Sequence, residues 1–312
     1  MALIDFEHHP KLANFPKRPL RLTHSMADHP LLSLPALARL AGKLEGDRVE
    51  YNAGSVGIDQ KPEDTPMVDM SPEEIVERIE TAGAWLVLKN VESHPDYRGL
   101  LEACLLDVAR TMGHRSLREA DFTDPQLFIF VASANSTTPF HCDYEQNFFM
   151  HLRGPKQMCV YDNEDRRYVS QADLETNPGK HRNLRFDPAF EGQGTVYDFS
   201  PGDGLFLPYT WPHWVRTGDA PAVSMAVTWK SRAVLRSNKV LFVNAMLRKL
   251  GLAQARPGVR PTFDAIKAAA YTAARAIVDP LRRNETARRM LRGLLFGRKA
   301  NYYYNRGETG TP

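Results

Sequence analysis

Residues 137–156 read TTPFHCDYEQNFFMHLRGPK. Its apolar residues and the Arg153-Gly154-Pro155 break predict a β-strand that runs into a turn. Side chains two apart on a strand share a face, so His141, Asp143, Glu145 and Asn147 would all point one way. A half-buried strand turns apolar groups inward. Four polar groups on one face therefore suggest a site rather than a core. An imidazole and a carboxylate at 141 and 143 are two metal ligands, and Lys156 brings a cation just past the turn.

The surrounding text, from Leu127 to Trp229, is a series of short strands. The candidates are 127–133, 144–152, 157–162, 195–199, 204–207 and 224–229, with Ser200-Pro201-Gly202-Asp203 as a further turn. Short strands at close spacing predict a β-sandwich or barrel rather than βαβ units. Upstream, Ser71-Pro72-Glu73-Glu74 predicts a capped helix start, with an end near Gly83. Ser33 to Lys43 and Pro95 to Met112 have helical spacing, and Trp85 to Leu88 reads as a strand. Residues 1 to about 70 otherwise read as an irregular arm. Downstream, 240–251, 262–278 and 284–295 read as helices. The expected division is an N-terminal arm and helix (1–83), a β-barrel domain (84–231) and a basic helical region (232–312).

Of 312 residues, 43% are hydrophobic and 25% charged, which excludes disordered and fibrous classes. Three cysteines, Cys104, Cys142 and Cys159, are too few for a disulfide framework and read as buried thiols. No secretory signal or membrane-spanning run is visible, so a cytoplasmic protein is expected. The charge is unevenly spread. Ser231 to Pro312 holds 17 of the 40 Lys and Arg but 4 of the 37 Asp and Glu, leaving 23 basic and 33 acidic residues before it. Such a tail could meet nucleic acid, an acidic partner, its own body or a second copy.

A third ligand must come from elsewhere, and His213 in Trp211-Pro212-His213-Trp214 is the best candidate. Two histidines and one carboxylate can occupy one face of an octahedral ion and leave adjacent positions open, which suits non-haem Fe(II). Zinc is more often tetrahedral. Glu145 is an alternative ligand or a group beside the metal or the substrate. Cys142 would point away from the ligand face, and His151 and Arg153 read as surface or hairpin residues, with a role toward substrate as the alternative.

These motifs resemble the JmjC-type, cupin-like Fe(II)/2-oxoglutarate oxygenases, and among them are most similar to the asparaginyl hydroxylase that inhibits hypoxia-inducible factor. The matching text is Thr138-Pro139-Phe140-His141-Cys142-Asp143, then Asn147-Phe148-Phe149, then Gly154-Pro155-Lys156, and later a Pro-Gly-Asp turn and Trp-Pro-His. The resemblance implies a mostly β fold, a double-stranded β-helix (jelly-roll) with helical extensions. It implies His141, Asp143 and His213 as catalytic iron ligands. Lys156 and Thr138 would hold the distal carboxylate of 2-oxoglutarate, and Asn147 would lie near its metal-bound end. Fe(II), 2-oxoglutarate and O₂ would be the cofactor and cosubstrates of a hydroxylase, or of a demethylase acting through hydroxylation. On the final strand Ser224 and Thr228 are both offered, and the text does not say which faces in.

Two rivals keep the same barrel: a cupin-like metal-binding regulatory protein without turnover, and a metal-dependent isomerase or hydrolase. Fold and triad do not set the substrate; the resemblance implies a protein side chain, and a small molecule is equally compatible. The apolar Leu291, Leu294, Leu295 and Phe296 favour a homodimer through the C-terminal helices over nucleic-acid binding.

Overall fold

The structure is a computed structural model and describes residues 2–6, 15–176, 183–281, 289, 290 and 293. Packing divides the chain into two compact units, one of residues 1–168 and 181–232, the other of 169–180 and 233–312.

The first unit holds two antiparallel sheets. The larger runs β1 (Ile4–Phe6), β2 (Leu20–His24), β10 (Asp203–Leu207), β7 (Gln146–Arg153), β12 (Ala222–Lys230), β5 (Thr123–Ala132), β4 (Ala84–Leu88), β3 (Val49–Ala53). The smaller runs β6 (Thr137–His141), β11 (His213–Thr217), β8 (Lys156–Val160), β9 (Thr195–Phe199). Strands adjacent in space but distant in sequence, such as β7 between β10 and β12, give the crossed-over antiparallel order of a jelly roll.

Two apolar clusters explain why these sequences make these sheets. Phe149, Met158, Val160, Phe199, Leu205, Leu207, Trp211 and Val215 draw on both sheets and pack between them. On the opposite face of the large sheet, Phe148, Met150, Leu152, Val223, Met225, Val227 and Trp229 pack against helices α1 (Leu34–Ala41), α2 (Pro72–Glu77) and α3 (Pro95–Thr111). Both faces of β7 are therefore covered, and its residues are buried up to the exposed Arg153. That accounts for the weak alternation of QNFFMHLR: a strand buried on two sides reads as a continuous run.

The elements agree with the sequence where periodicity or capping is strong. Ser71 and Glu74 form the reciprocal capping box, and Leu101, Cys104, Leu105 and Val108 form the buried stripe of α3. Four expectations need correction. The arm is not irregular throughout, because β1, β2 and β3 are hydrogen-bonded into the large sheet. Helix α2 ends at Glu77, and the chain reaches Gly83, at φ 59°, through turns. The predicted strand 144–152 starts later, at Gln146, because residues 142–145 form a bend. Strand β11 was not foreseen, because its polar residues and the preceding Pro212 blur its alternation, and β6, expected as the start of one strand running on to the Arg153 turn, is a separate strand that ends at His141.

The β7–β8 turn has one backbone position that only glycine fills without strain. Gly154 has φ 79°, and a Cβ there would collide with the Pro221 carbonyl. Gly154→Ala is expected to cost about 2–4 kcal/mol, through left-handed strain plus displacement of the β11–β12 connection. A urea midpoint lowered at unchanged slope would show it; a midpoint within error of wild type would contradict it.

The second unit contains α4 (Gln171–Thr176), α5 (Arg232–Lys249) and α6 (Pro261–Leu281). Among the buried apolar residues Leu174, Val234, Val240, Leu241 and Ala245 its interior also holds a polar network. The buried Glu175 accepts hydrogen bonds from Arg248 Nε at 2.7 Å and Asn244 Nδ2 at 3.0 Å. Lys267 Nζ donates to Asn244 Oδ1 at 2.6 Å and Gln254 Oε1 at 2.8 Å. The helix expected at 284–295 lies outside the described residues except for Arg289, Met290 and Gly293, and so does the patch of Leu291, Leu294, Leu295 and Phe296. No helix among the described residues is long and apolar enough to cross a membrane.

Candidate metal centre

His141, Asp143 and His213 come together. One ligand atom from each lies within 4.8 Å of the others, and among the described residues these three form the cluster able to hold a metal ion. The two histidines are direct partners across β6 and β11, with ring centroids 4.2 Å apart. Asp143 reaches them from the bend after β6, not from a continuous strand. Its carbonyl accepts the Thr210 N–H at 2.9 Å, and Gln146 Oε1 accepts the Tyr209 N–H at 3.1 Å. These bonds tie the bend to the β10–β11 loop, which delivers His213. Thr210 adopts φ 60°, the conformation that lets the loop turn back onto the bend.

The neighbours of the triad prepare it for a cation. His141 Nδ1 lies 2.7 Å from the Pro139 carbonyl and His213 Nδ1 3.1 Å from the Trp211 carbonyl. A carbonyl only accepts, so each Nδ1 carries the proton and each Nε2 keeps its lone pair for a metal. Asn147 Nδ2 donates to Asp143 Oδ2 at 3.1 Å. Asp143 Oδ1 lies 3.9 Å from His141 Nε2. Asp143 and His213 are buried and His141 is nearly so. The donor set is two imidazoles and one carboxylate, which fits a first-row divalent ion with open coordination positions.

The remaining predicted residues spread along the face between the sheets. Asn147 is buried on β7 opposite Thr228 of β12 and Leu207 of β10. Asn147 Oδ1 and Thr228 Oγ1 are buried without a hydrogen-bond partner. Lys156 is buried at the start of β8, and its ammonium donates to Ser224 Oγ at 2.8 Å and stands 5.8 Å from the centre of the Phe149 ring. No carboxylate lies within salt-bridge distance of Lys156 among the described residues, and burial pushes its pKa down to about 7. Thr138 pairs with Val215, which pairs with Met158, two residues along β8 from Lys156 and on the same face. Glu145 is buried in the bend near Tyr209 and is not part of the ligand cluster. Burial raises the Tyr209 phenol above its ordinary range, and the Glu145 charge adds to this.

The question left between Ser224 and Thr228 has a simple answer. Both are on the between-sheet face of β12, four residues apart, with Ala222 and Ala226. That face carries small side chains only, whereas Val223, Met225, Val227 and Trp229 fill the other. Sequence reasoning missed His151. It was expected at a surface, but it is fully buried on β7. Counting in twos from Asn147 would have placed it inward with Phe149. Arg153 is exposed, at the strand's end. Cys142 is buried, with its thiol 3.9 Å from the Thr210 carbonyl.

A family model described as a cupin-like domain matches residues 16–233. The chain belongs to this family. The match takes in both sheets except β1, and the whole triad. A search of curated protein sequences returns no match. Among solved structures, ycfD of E. coli aligns at 17% identity over 93% of this chain and 73% of that one, with a TM-score of 0.46. A complex of YcfD, a ribosomal oxygenase from Escherichia coli, with cobalt and 2-oxoglutarate aligns at 16% identity over 82% and 62%, with a TM-score of 0.42. The DMSP lyase DddQ from Ruegeria pomeroyi DSS-3 aligns at 18% identity over 35% and 39%, with a TM-score of 0.23. At these scores the functional reading must rest on the side chains of this cupin-like domain itself.

Proposed function

We propose that the protein is a 2-oxoglutarate-dependent dioxygenase that uses Fe(II) to hydroxylate a protein side chain or a small molecule, or to demethylate one through hydroxylation. The observation that carries this reading is one face holding both an open three-residue cluster and a buried lysine with no carboxylate beside it among the described residues. A buried cation is costly unless an anion answers it. A dicarboxylic keto acid supplies that anion at one end and a metal-chelating group at the other.

His141 Nε2, His213 Nε2 and Asp143 Oδ1 would hold the iron. When bound, the ion supplies the redox chemistry that couples oxidative decarboxylation of 2-oxoglutarate, to succinate and CO₂, with insertion of one oxygen atom into the substrate. The chain's own groups do the positioning. Lys156 binds the distal carboxylate as a point charge on a long stem, with the Thr138 hydroxyl on the same face. The unpartnered Asn147 Oδ1 and Thr228 Oγ1 offer an acceptor and a hydroxyl beside the cluster. The small side chains of β12 leave width for the ligand, and the apolar between-sheet cluster keeps bulk water out.

The carrying experiment is succinate release from iron-loaded protein, with and without O₂ and 2-oxoglutarate. Uncoupled turnover requiring all three is expected. A folded, iron-loaded protein that neither binds nor consumes 2-oxoglutarate would favour the regulatory rival. Stoichiometric zinc together with O₂-independent activity would favour the isomerase or hydrolase.

For partners we propose a homodimer through the C-terminal unit. Leu250, Leu252, Val259, Phe263 and Ile266 are large apolar side chains left exposed there.

A further inference from the structure

His151 is the one fully buried histidine in the described residues, and the triad does not use it. It sits in a chain of hydrogen bonds whose direction can be read from chemistry alone. His151 Nε2 is 2.6 Å from the Gly154 carbonyl, which can only accept, so Nε2 carries the proton. His151 Nδ1 is then the acceptor of its 3.0 Å contact with Ser224 Oγ, so the serine hydrogen points at the imidazole. The serine lone pairs are left for Lys156 Nζ, which donates at 2.8 Å. The order is fixed from Lys156 to Ser224 to His151 to the β7–β8 turn.

We propose that His151, acting through Ser224, is the positioning residue for Lys156: it orients the serine so that the ammonium is held by one N–H and presents the others to an anionic ligand between the sheets. The inference rests on the reading above that Lys156 takes the distal carboxylate, and it names the residues that set that subsite. Without this chain the lysine is a buried charge on a four-carbon stem with several rotamers, and it must be ordered when the ligand arrives. With it, the cost of ordering is met in the folded chain. The directionality needs a neutral imidazole. The groups around His151 favour that form: burial first and then Lys156 of β8 push its pKa down to about 4, with a smaller push from His24 of β2, against opposite effects from the Gly154 carbonyl hydrogen bond and from Asp203 at the start of β10. The imidazole therefore stays an acceptor throughout the range in which Lys156 changes charge.

The chain also explains why the anchor lies beside a glycine turn. Gly154 supplies the carbonyl that fixes the tautomer, and its positive φ aims that carbonyl back over β7. The serine is an acceptor that raises the proton affinity of the lysine it holds. Its removal should lower the pH at which the ammonium is lost.

The test is 2-oxoglutarate affinity by calorimetry on metal-loaded protein between about pH 6 and 9, for wild type, S224A, H151Q, H151L and K156M. Ser224→Ala is expected to weaken binding about tenfold, the effect of one hydrogen bond to a charged group, and to move the alkaline loss of binding to lower pH. His151→Leu should show a smaller effect in the same direction. His151→Gln, whose amide can also accept from Ser224 and donate to Gly154, should restore most of the affinity. If wild type binds and K156M does not, while S224A and H151L bind like wild type with the same pH profile, the positioning role is wrong and the cosubstrate reading survives. If wild type itself does not bind 2-oxoglutarate, the cosubstrate reading is the one that fails. Should H151L prove unfolded by circular dichroism, S224A alone decides, because it removes one buried oxygen and leaves the packing in place.

Discussion

Lys156→Met is expected to give a protein that is more stable than wild type and no longer binds 2-oxoglutarate. The two effects have one cause. The ammonium is buried with a serine as its hydrogen-bond partner and no carboxylate within reach among the described residues. Burial lowers its pKa from 10.5 to about 7. The folded chain thus holds this proton less tightly than the unfolded chain does. Below pH 7 both states are charged, and the fold carries the whole penalty. Between pH 7 and 10.5 the folded lysine is neutral while the unfolded one is still protonated, so stability rises with pH. Above 10.5 both are neutral and the penalty is gone. Methionine has a similar length and no charge, so the variant should gain about 2–4 kcal/mol at pH 6, less the lost hydrogen bond to Ser224, and the gain should shrink as pH rises. Denaturation at pH 6 and 9 checks both the sign and the trend. Affinity for 2-oxoglutarate should fall by about 100-fold or more, since a buried carboxylate would lose its counter-charge. A variant less stable than wild type at pH 6 would sink the account of a preformed anion site, because it would mean that the ammonium already has a stabilising partner.

Such a residue shows why the site was more legible than the fold around it. His141, Asp143, His213 and Lys156 stand out in the text because charged and metal-binding side chains are costly inside a barrel and so need a reason. The capping box at Ser71 and the stripe of α3 were equally readable, being local. The strand β11 and the break between β6 and β7 were not, although β6 and β11 carry two of the three candidate ligands. A five-residue strand that contains a proline, or follows one, leaves too little alternation to detect, and its pairing depends on residues more than 70 positions away. The bend at 142–145 was hidden for a related reason. Period-two counting presumes an unbroken strand, yet it picked out two residues that the structure brings together, because the bend turns Asp143 back toward His141. His151 was missed in the opposite way. There the count was valid, but a lone histidine near a turn resembles a surface residue. Only the burial of both faces of β7 shows that it must have partners.

The second large effect belongs to Asp143. Asp143→Ala is expected to lower affinity for the divalent ion by more than about 100-fold, beyond what loss of an orienting neighbour costs, and to take succinate release below detection. The carboxylate brings the only negative charge to the cluster, and its two oxygens have different tasks: Oδ2 is held by Asn147 and Oδ1 faces the two imidazoles. Asn147→Ala should therefore be a milder copy of the same lesion, about 10–100-fold in metal affinity, because the ligand remains but its orientation is lost. The two changes share one interaction, so adding N147A to D143A should cost nothing further in metal affinity, and the cycle should be strongly non-additive. Metal-induced thermal stabilisation provides a readout independent of turnover: present in wild type, reduced in N147A, absent in D143A. Glu145→Ala separates this assignment from its rival in the sequence, because Glu145 is buried in the bend near Tyr209 and outside the ligand cluster. It should keep the thermal shift. If D143A retained the shift and E145A lost it, the carboxylate ligand would be Glu145, and the bend would have to reorganise around the metal.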